Sequence, residues 1–216
     1  MPRERIAGVV LAAGLSSRMG TNKMLLRLGG TSLVRRAVGT ALEAGLDPVV
    51  VVVGHEGERI RAELEGLACT PVENAGYARG MNTSLRAGIR ALPDDVEAAV
   101  VLLGDMPLVD AGMLRSIADR FRSARPRLVV STYGEVLAPP ILYGRALFDE
   151  LRALDEQACG KSVVKRHRGE AVELNWPAER LTDLDVPEDL DRVRSALWAP
   201  PVAPPSTPRR DETDAG

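Results

Sequence analysis

The sequence predicts an α/β fold of three layers, αβα, built on a mostly parallel sheet with a small antiparallel excursion. Two observations carry the prediction. Short β-branched runs at Ile6 to Ala13, Val49 to Val53 and Val100 to Leu103 are apolar throughout instead of alternating, the pattern of strands covered on both faces. Between them stand segments with apolar residues at helical spacing, so strand and helix follow one another in βαβ order.

The first helix is expected where Leu33, Val34, Ala37, Val38, Ala41 and Leu42 share one face, with Arg35, Arg36 and Glu43 away from it. Others are expected at about Glu56 to Leu64, Thr83 to Leu92 and Ala111 to Arg122, the last after Asp110, a good N-cap. From Leu128 to Leu174 the pattern loosens: a Tyr133-Gly134 turn, the Pro139-Pro140 pair and an amphipathic stretch at Ser162 to Arg166 predict the antiparallel part. Pro187 suits the first turn of a final helix, Glu188 to Leu197, with Leu190, Val193 and Leu197 on one face. After Trp198 the chain is rich in proline and polar residues, without apolar periodicity. The expected division is one domain over 1–198 and a disordered or extended tail over 199–216.

With 216 residues, 45% of them hydrophobic, the chain can bury a full core. Its 28 basic and 30 acidic side chains leave a net charge of -2, which excludes the basic footprint of a nucleic-acid or membrane-surface protein. Any anion must be held by a local site. Cys69 and Cys159 lack the spacing of a zinc set or a CxxC pair, so a reducing compartment is the default. There is no small-residue cleavage site near Met1 and no apolar run of spanning length, hence the expectation of a soluble, cytoplasmic protein.

Three stretches carry chemistry. The first, Leu11-Ala12-Ala13-Gly14-Leu15-Ser16-Ser17-Arg18-Met19-Gly20-Thr21-Asn22-Lys23, follows a buried strand, where open α/β sheets bind ligands. Small residues allow close approach, backbone N–H groups can form an anion-binding concavity, and Arg18 and Lys23 add charge suited to a triphosphate. Thr21-Asn22 separates the lysine from Gly20, so this is not a Walker A loop, and no GxGxxG occurs. A glycine turn with solvated cations is the alternative. The second stretch, Asn74-Ala75-Gly76-Tyr77-Ala78-Arg79-Gly80-Met81-Asn82-Thr83-Ser84-Leu85, reads by itself as a loop with a capping cluster. In the third, Gly104-Asp105-Met106-Pro107, a carboxylate ends a buried strand and Pro107 stops further pairing. It needs solvent or a partner; a metal ion is one partner, and a cap before a turn is the competing role.

Together these stretches resemble the signature of the MobA-like nucleotidyltransferases over residues 5 to 197, and GLSSRMG is most similar to the molybdenum cofactor cytidylyltransferase branch. The resemblance implies a Rossmann-like nucleotidyltransferase fold. It places Leu11, Ala12, Ala13 and Gly14 around the nucleotide, Arg18 on the outer phosphates, Lys23 at the α-phosphate, Gly80 against the base edge and Ser84 as a hydroxyl to the base. Asp105 becomes the first ligand of Mg²⁺. Thr182-Asp183-Leu184-Asp185-Val186-Pro187-Glu188-Asp189 resembles the family's closing DxDxPxD motif, whose second aspartate, Asp185, completes the metal site. Lys23, Arg18 and Asp105 are the candidate catalytic residues. Glu188 and Asp189 are better explained as acids favouring a helix dipole.

Ala12-Ala13, where guanylyl-transferring relatives tend to carry a glycine pair, favours CTP. The implied reaction moves CMP from CTP to the phosphate of molybdenum cofactor (molybdopterin), releasing pyrophosphate, with a molybdenum hydroxylase apoenzyme as a further partner. Alternatives are guanylyl transfer to molybdopterin, transfer to a sugar or polyol phosphate, and a non-catalytic maturation factor. Ala138-Pro139-Pro140 stands where many cytidylyl-transferring relatives have a Gly-His-Pro turn on the acceptor side, while Gly160-Lys161 keeps a glycine and a cation. His55 is expected in a loop near the site, and the run Lys165-Arg166-His167-Arg168 is expected to be a solvated face.

Overall fold

A computed structural model describes residues 4–15, 21–155, 160–182 and 193. Arg18, Asp183, Asp185, Cys159, most of the expected final helix and the expected tail lie outside the described residues. In chain order the elements are β1 (Arg5–Leu11), a small hairpin of β2 (Arg27–Leu28) and β3 (Thr31–Ser32), α1 (Leu33–Glu43), β4 (Val49–Val53), α2 (Gly57–Glu63), β5 (Thr70–Glu73), α3 (Met81–Arg90), β6 (Val96–Leu103), α4 (Ala111–Ala124), β7 (Leu128–Tyr133), β8 (Val136–Gly144), α5 (Phe148–Arg152), α6 (Gly160–Arg166) and β9 (Ala171–Trp176).

The main sheet has seven strands in the order β5-β4-β1-β6-β8-β7-β9. Strands β5, β4, β1 and β6 run parallel to one another, β8 is antiparallel to both β6 and β7, and β7 pairs parallel with β9. The antiparallel excursion is thus one reversed strand within the sheet. Every residue of β4, Val49–Val53, is buried, and burying each valine contributes ~1.5 kcal/mol or more over exposure. That is why the run is apolar on both sides.

Alternate residues feed two cores. One face sets Val10, Val51, Val100 and Leu102 against α1, α2 and α4 through Val34, Val38, Ile60, Leu114 and Ile117. The other sets Val9, Val50, Val52 and Val101 against α3, α5 and α6 through Leu85, Ile89, Leu151, Val163 and Val164. Helix α3 lies close against the sheet: a Cβ on Gly88 would lie 2.4 Å from Val9 Cγ1 and 3.1 Å from Val52 Cγ2. No described helix is long and apolar enough to cross a membrane.

Four expectations need correction. Ala12 and Ala13 lie past the end of β1, and β6 begins at Val96, well before Val100. Helix α3 begins at Met81, not Thr83: Gly80, at φ 124°, precedes it, and the Thr83 hydroxyl turns back to Gly80 O at 2.8 Å from within the first turn. The sequence signal for a cap is here a back-bonding threonine.

Within the segment expected to be antiparallel, Pro139-Pro140 lies inside β8. Proline has no N–H for the ladder, so the β7–β8 register jumps from Val129↔Leu142 to Ser131↔Ala138. Side chains of β7 replace the missing bonds. Ser131 Oγ donates to Pro140 O at 2.7 Å and Tyr133 Oη to Pro139 O at 2.9 Å, while Trp176 Nε1 donates to Ser131 Oγ at 3.0 Å. Lastly, His167 is not simply on a solvated face: its side chain is 16% exposed, with Nε2 2.7 Å from Glu150 Oε2. Arg166 Nε approaches the other oxygen of the same carboxylate, so part of the basic run clamps α6 to α5.

Candidate active site

The site forms where the chain's order reverses in the sheet. From β1 the connections lead outward to β4 and β5, then return across to β6 on the other side of β1. β1 and β6 stay in register to their last residues, Leu11↔Leu103, and the crevice beyond such a pair is where α/β sheets bind ligands. Gly104 N donates to Leu11 O at 3.0 Å, and Ala12 N to Val52 O at 2.9 Å. Ala12-Ala13-Gly14 and Gly104-Asp105 therefore leave the sheet side by side.

Lys23 reaches this mouth through local capping. Residues Lys23–Leu25 form one 3₁₀ turn whose N-cap, Asn22, accepts from Met24 N at 3.1 Å. The other end of the Asn22 amide donates to His55 O at 3.1 Å, tying the turn to the loop after β4. Met24 is 3% exposed, and a Cβ on Gly104 would lie 2.7 Å from its sulfur. A glycine at 104 lets Met24 sit down, and Lys23 is delivered to Asp105.

The Lys23 ammonium forms an ion pair with Asp105 Oδ2, with side-chain exposures of 17% and 11%. A carboxylate this far from water is costly when alone and is stabilised by an adjacent cation. The pair joins two segments that the sequence keeps far apart.

The second stretch packs against the same mouth. A Cβ on Gly54 would collide with Tyr77 Cβ at 2.7 Å and Ala13 Cβ at 3.0 Å, so the β1 loop, the β4 loop and Tyr77 are in contact. The His55 ring lies 6.1 Å from the Tyr77 ring, and His55 N donates to Ala13 O at 3.5 Å. The loop expected near the site is there. Gly80 precedes α3, and Ser84, in its first turn, is 5% exposed with its oxygen accepting from Asn74 Nδ2 at 2.9 Å.

Beside Asp105 a cavity of about 470 Å³ opens between the ends of β1, β6 and β8 and the helices α3 and α6, lined by Leu11, Leu85, Leu103, Pro139, Tyr143 and Lys161 among others. The segment that departs from the relatives' Gly-His-Pro turn forms part of this wall, and Lys161 brings a cation to it. As for a metal, no group of three or more His, Cys, Asp or Glu side chains placed to hold an ion occurs among the described residues. A single carboxylate can hold a divalent ion such as Mg²⁺ when phosphate oxygens and water complete the shell. The chemistry of Asp105 fits that role.

Sequence reasoning missed the polar junctions Asn22 and Asn74, both buried. Asn22 carried a readable signal, an Asx residue directly before a short turn. Asn74 carried a signal only for its near bond, to Gly76 N two residues on; its bonds to Thr83 and Ser84 reach across the loop to α3.

The model of the MobA-like NTP transferase domain matches residues 8–172. The chain belongs to this family. Among sequence relatives, the bifunctional protein GlmU of Anaeromyxobacter sp. is 37% identical over 156 residues, covering 69% of this chain and 32% of the relative. The bifunctional IPC transferase and DIPP synthase of Rubrobacter xylanophilus is 30% identical over 223 residues, covering 87% and 51%. The MobA-like chain thus spans about a third to a half of the length of these relatives. In three dimensions it resembles the crystal structure of Rv0371c from Mycobacterium tuberculosis, with TM-score 0.79 and 28% identity, covering 89% of this chain and 98% of that one. Rv0371c has also been solved as a complex with manganese.

Proposed function

We propose that this MobA-like chain is a Mg²⁺-dependent cytidylyltransferase of the cytoplasm that transfers CMP from CTP to the phosphate of molybdenum cofactor and releases pyrophosphate. The observation that carries the reading is the Lys23–Asp105 pair at the β1–β6 crevice, which puts a cation and a metal-competent carboxylate at the mouth of the small-residue loop. The loop with Ala12-Ala13 and its likeness to the cytidylyl branch supports CTP. Residues 1–198 are proposed to act as the domain and 199–216 as a tail.

An oxygen of the acceptor phosphate attacks the α-phosphorus, the new P–O bond forms, and the bond from that phosphorus to the bridging oxygen breaks, so the electron pair leaves with pyrophosphate. An ionised phosphate needs no general base, so positioning and charge neutralisation carry the chemistry. Lys23 turns from Asp105 to the α-phosphate oxygens, and Arg18 with the backbone N–H groups of the loop holds the departing pyrophosphate. Asp105 and Asp185 would hold Mg²⁺, which when bound offsets charge on the phosphates.

A second reading, transfer to a sugar or polyol phosphate, is favoured by the departure at Ala138-Pro139-Pro140 on the acceptor side. Pyrophosphate release from CTP, GTP, ATP and UTP with Mg²⁺ separates the two when molybdenum cofactor is compared with sugar phosphates as acceptor. Release with CTP and molybdenum cofactor is expected. In that assay Lys23→Ala and Asp105→Ala should each lower kcat/KM by about 10³-fold or more. Full activity in either variant, or release with sugar phosphates alone, would overturn the reading.

A further inference from the structure

The polar junction beneath the second stretch has a direction built into it. Gly76 N donates to Asn74 Oδ1 at 3.0 Å. A backbone N–H can only donate, so the atom facing Gly76 must be the amide oxygen, and the NH₂ end is fixed towards α3. There Asn74 Nδ2 donates to Thr83 Oγ1 at 2.8 Å and to Ser84 Oγ at 2.9 Å. Both hydroxyls are therefore acceptors of Asn74 and must send their own protons elsewhere.

Thr83 sends its proton to Gly80 O at 2.8 Å, with Gly76 O also in range at 3.1 Å. For Ser84, no acceptor takes the proton among the described residues. Ser84 lies one helical turn before Gly88, the residue pressed onto Val9 and Val52, which puts it over the carboxyl ends of β1 and β4. Its neighbour one turn earlier is Gly80, which carries no side chain to cover it. The residue is almost fully buried, and its unspent proton remains for a group that enters along Gly80.

We infer that Asn74 is a positioning residue that fixes Ser84 as a hydrogen-bond donor, so that the site selects a nucleobase presenting a carbonyl oxygen or ring nitrogen there and rejects one presenting an amino group. This rests on the nucleotide reading above. The replacement Asn74→Asp isolates the effect. An aspartate oxygen can still accept from Gly76 N, which holds the loop, but its other oxygen can only accept, so it takes the Ser84 proton.

The test is the calorimetric Kd of CTP, UTP, GTP and ATP with Mg²⁺ for the wild type, Ser84→Ala, Asn74→Asp and the double variant, with the Tm of each ligand-free protein. Each single change should weaken the preferred nucleotide about tenfold, and the double variant about tenfold as well, not a hundredfold, because both remove one bond. A merely structural asparagine would instead give additive losses that follow Tm. Should Asn74→Asp fail to fold, Asn74→Ala completes the same cycle without a buried charge. A wild type that binds none of the four nucleotides overturns the nucleotide reading and this inference together. A wild type that binds, with either single variant unchanged or with additive losses, overturns the Asn74 role alone.

Discussion

Lys23 and Asp105 neutralise one another at a place where both are largely shielded from water. Removing the cation leaves a carboxylate without its partner, so Lys23→Ala is expected to lower stability by ~3 kcal/mol. Millimolar Mg²⁺ should then raise Tm more in this variant than in the wild type, since an added cation takes over the vacated role at Asp105. A thermal-shift titration reads this directly, and an equal response in both proteins would show that Asp105 does not meet the ion. Another carboxylate answers to pH. Burial pushes the Glu150 carboxyl up, but hydrogen bonds from His167 and Arg166 outweigh burial and hold it below its ordinary range. The stabilisation is therefore complete above the ordinary value of ~4.3 and is lost as pH falls through the lowered one. Glu150→Gln should cost stability at neutral pH and nothing once the native carboxyl is protonated, so the two Tm curves should converge on acidification. At this scale the sequence pointed to Lys23 and Asp105 individually through chain position, whereas their pairing, and the shielding of His167, depend on residues that only folding brings near.

Elements show which contacts were readable. The apolar runs announced β1, β4 and β6 because a strand covered on both faces admits few polar residues, and Asp110 marked the start of α4, where its carboxylate accepts from Met113 N at 2.9 Å. Strand β8 was not readable as such, because prolines argue against a central strand and the remedy lies on another strand. Ser131→Ala would leave Pro140 O and Trp176 Nε1 without the partner they share, with an expected loss of ~2 kcal/mol or more in urea unfolding. Helix α3 offers the converse test. Gly88→Ala forces a methyl group against Val9 and Val52, so ~1–3 kcal/mol should be lost through overpacking. Because the same helix carries Ser84, nucleotide affinity should fall with it, and calorimetry on the folded variant checks this.

For the molecule as a whole, the recurrence of strand and helix was enough to place a ligand crevice beyond the carboxyl ends of the strands, since β1 is the strand from which the order must reverse. What remained hidden was how distant segments brace that crevice. The turn after Asp105 is gripped from two directions: Arg36 Nε donates to Pro107 O at 3.3 Å, and Arg180 Nη1 donates to Leu108 O at 2.9 Å and approaches Asp110 Oδ2 at 2.7 Å. Val193, fully buried, joins Leu28, Leu33 and Leu108 in a small apolar cluster. Late parts of the chain thus fasten the floor beneath an early ion pair. A fusion partner, a proteolytic nick or a truncation placed before Arg180 would not be silent cosmetic damage at a remote end; it would unbuckle the very bend on which the carboxylate stands.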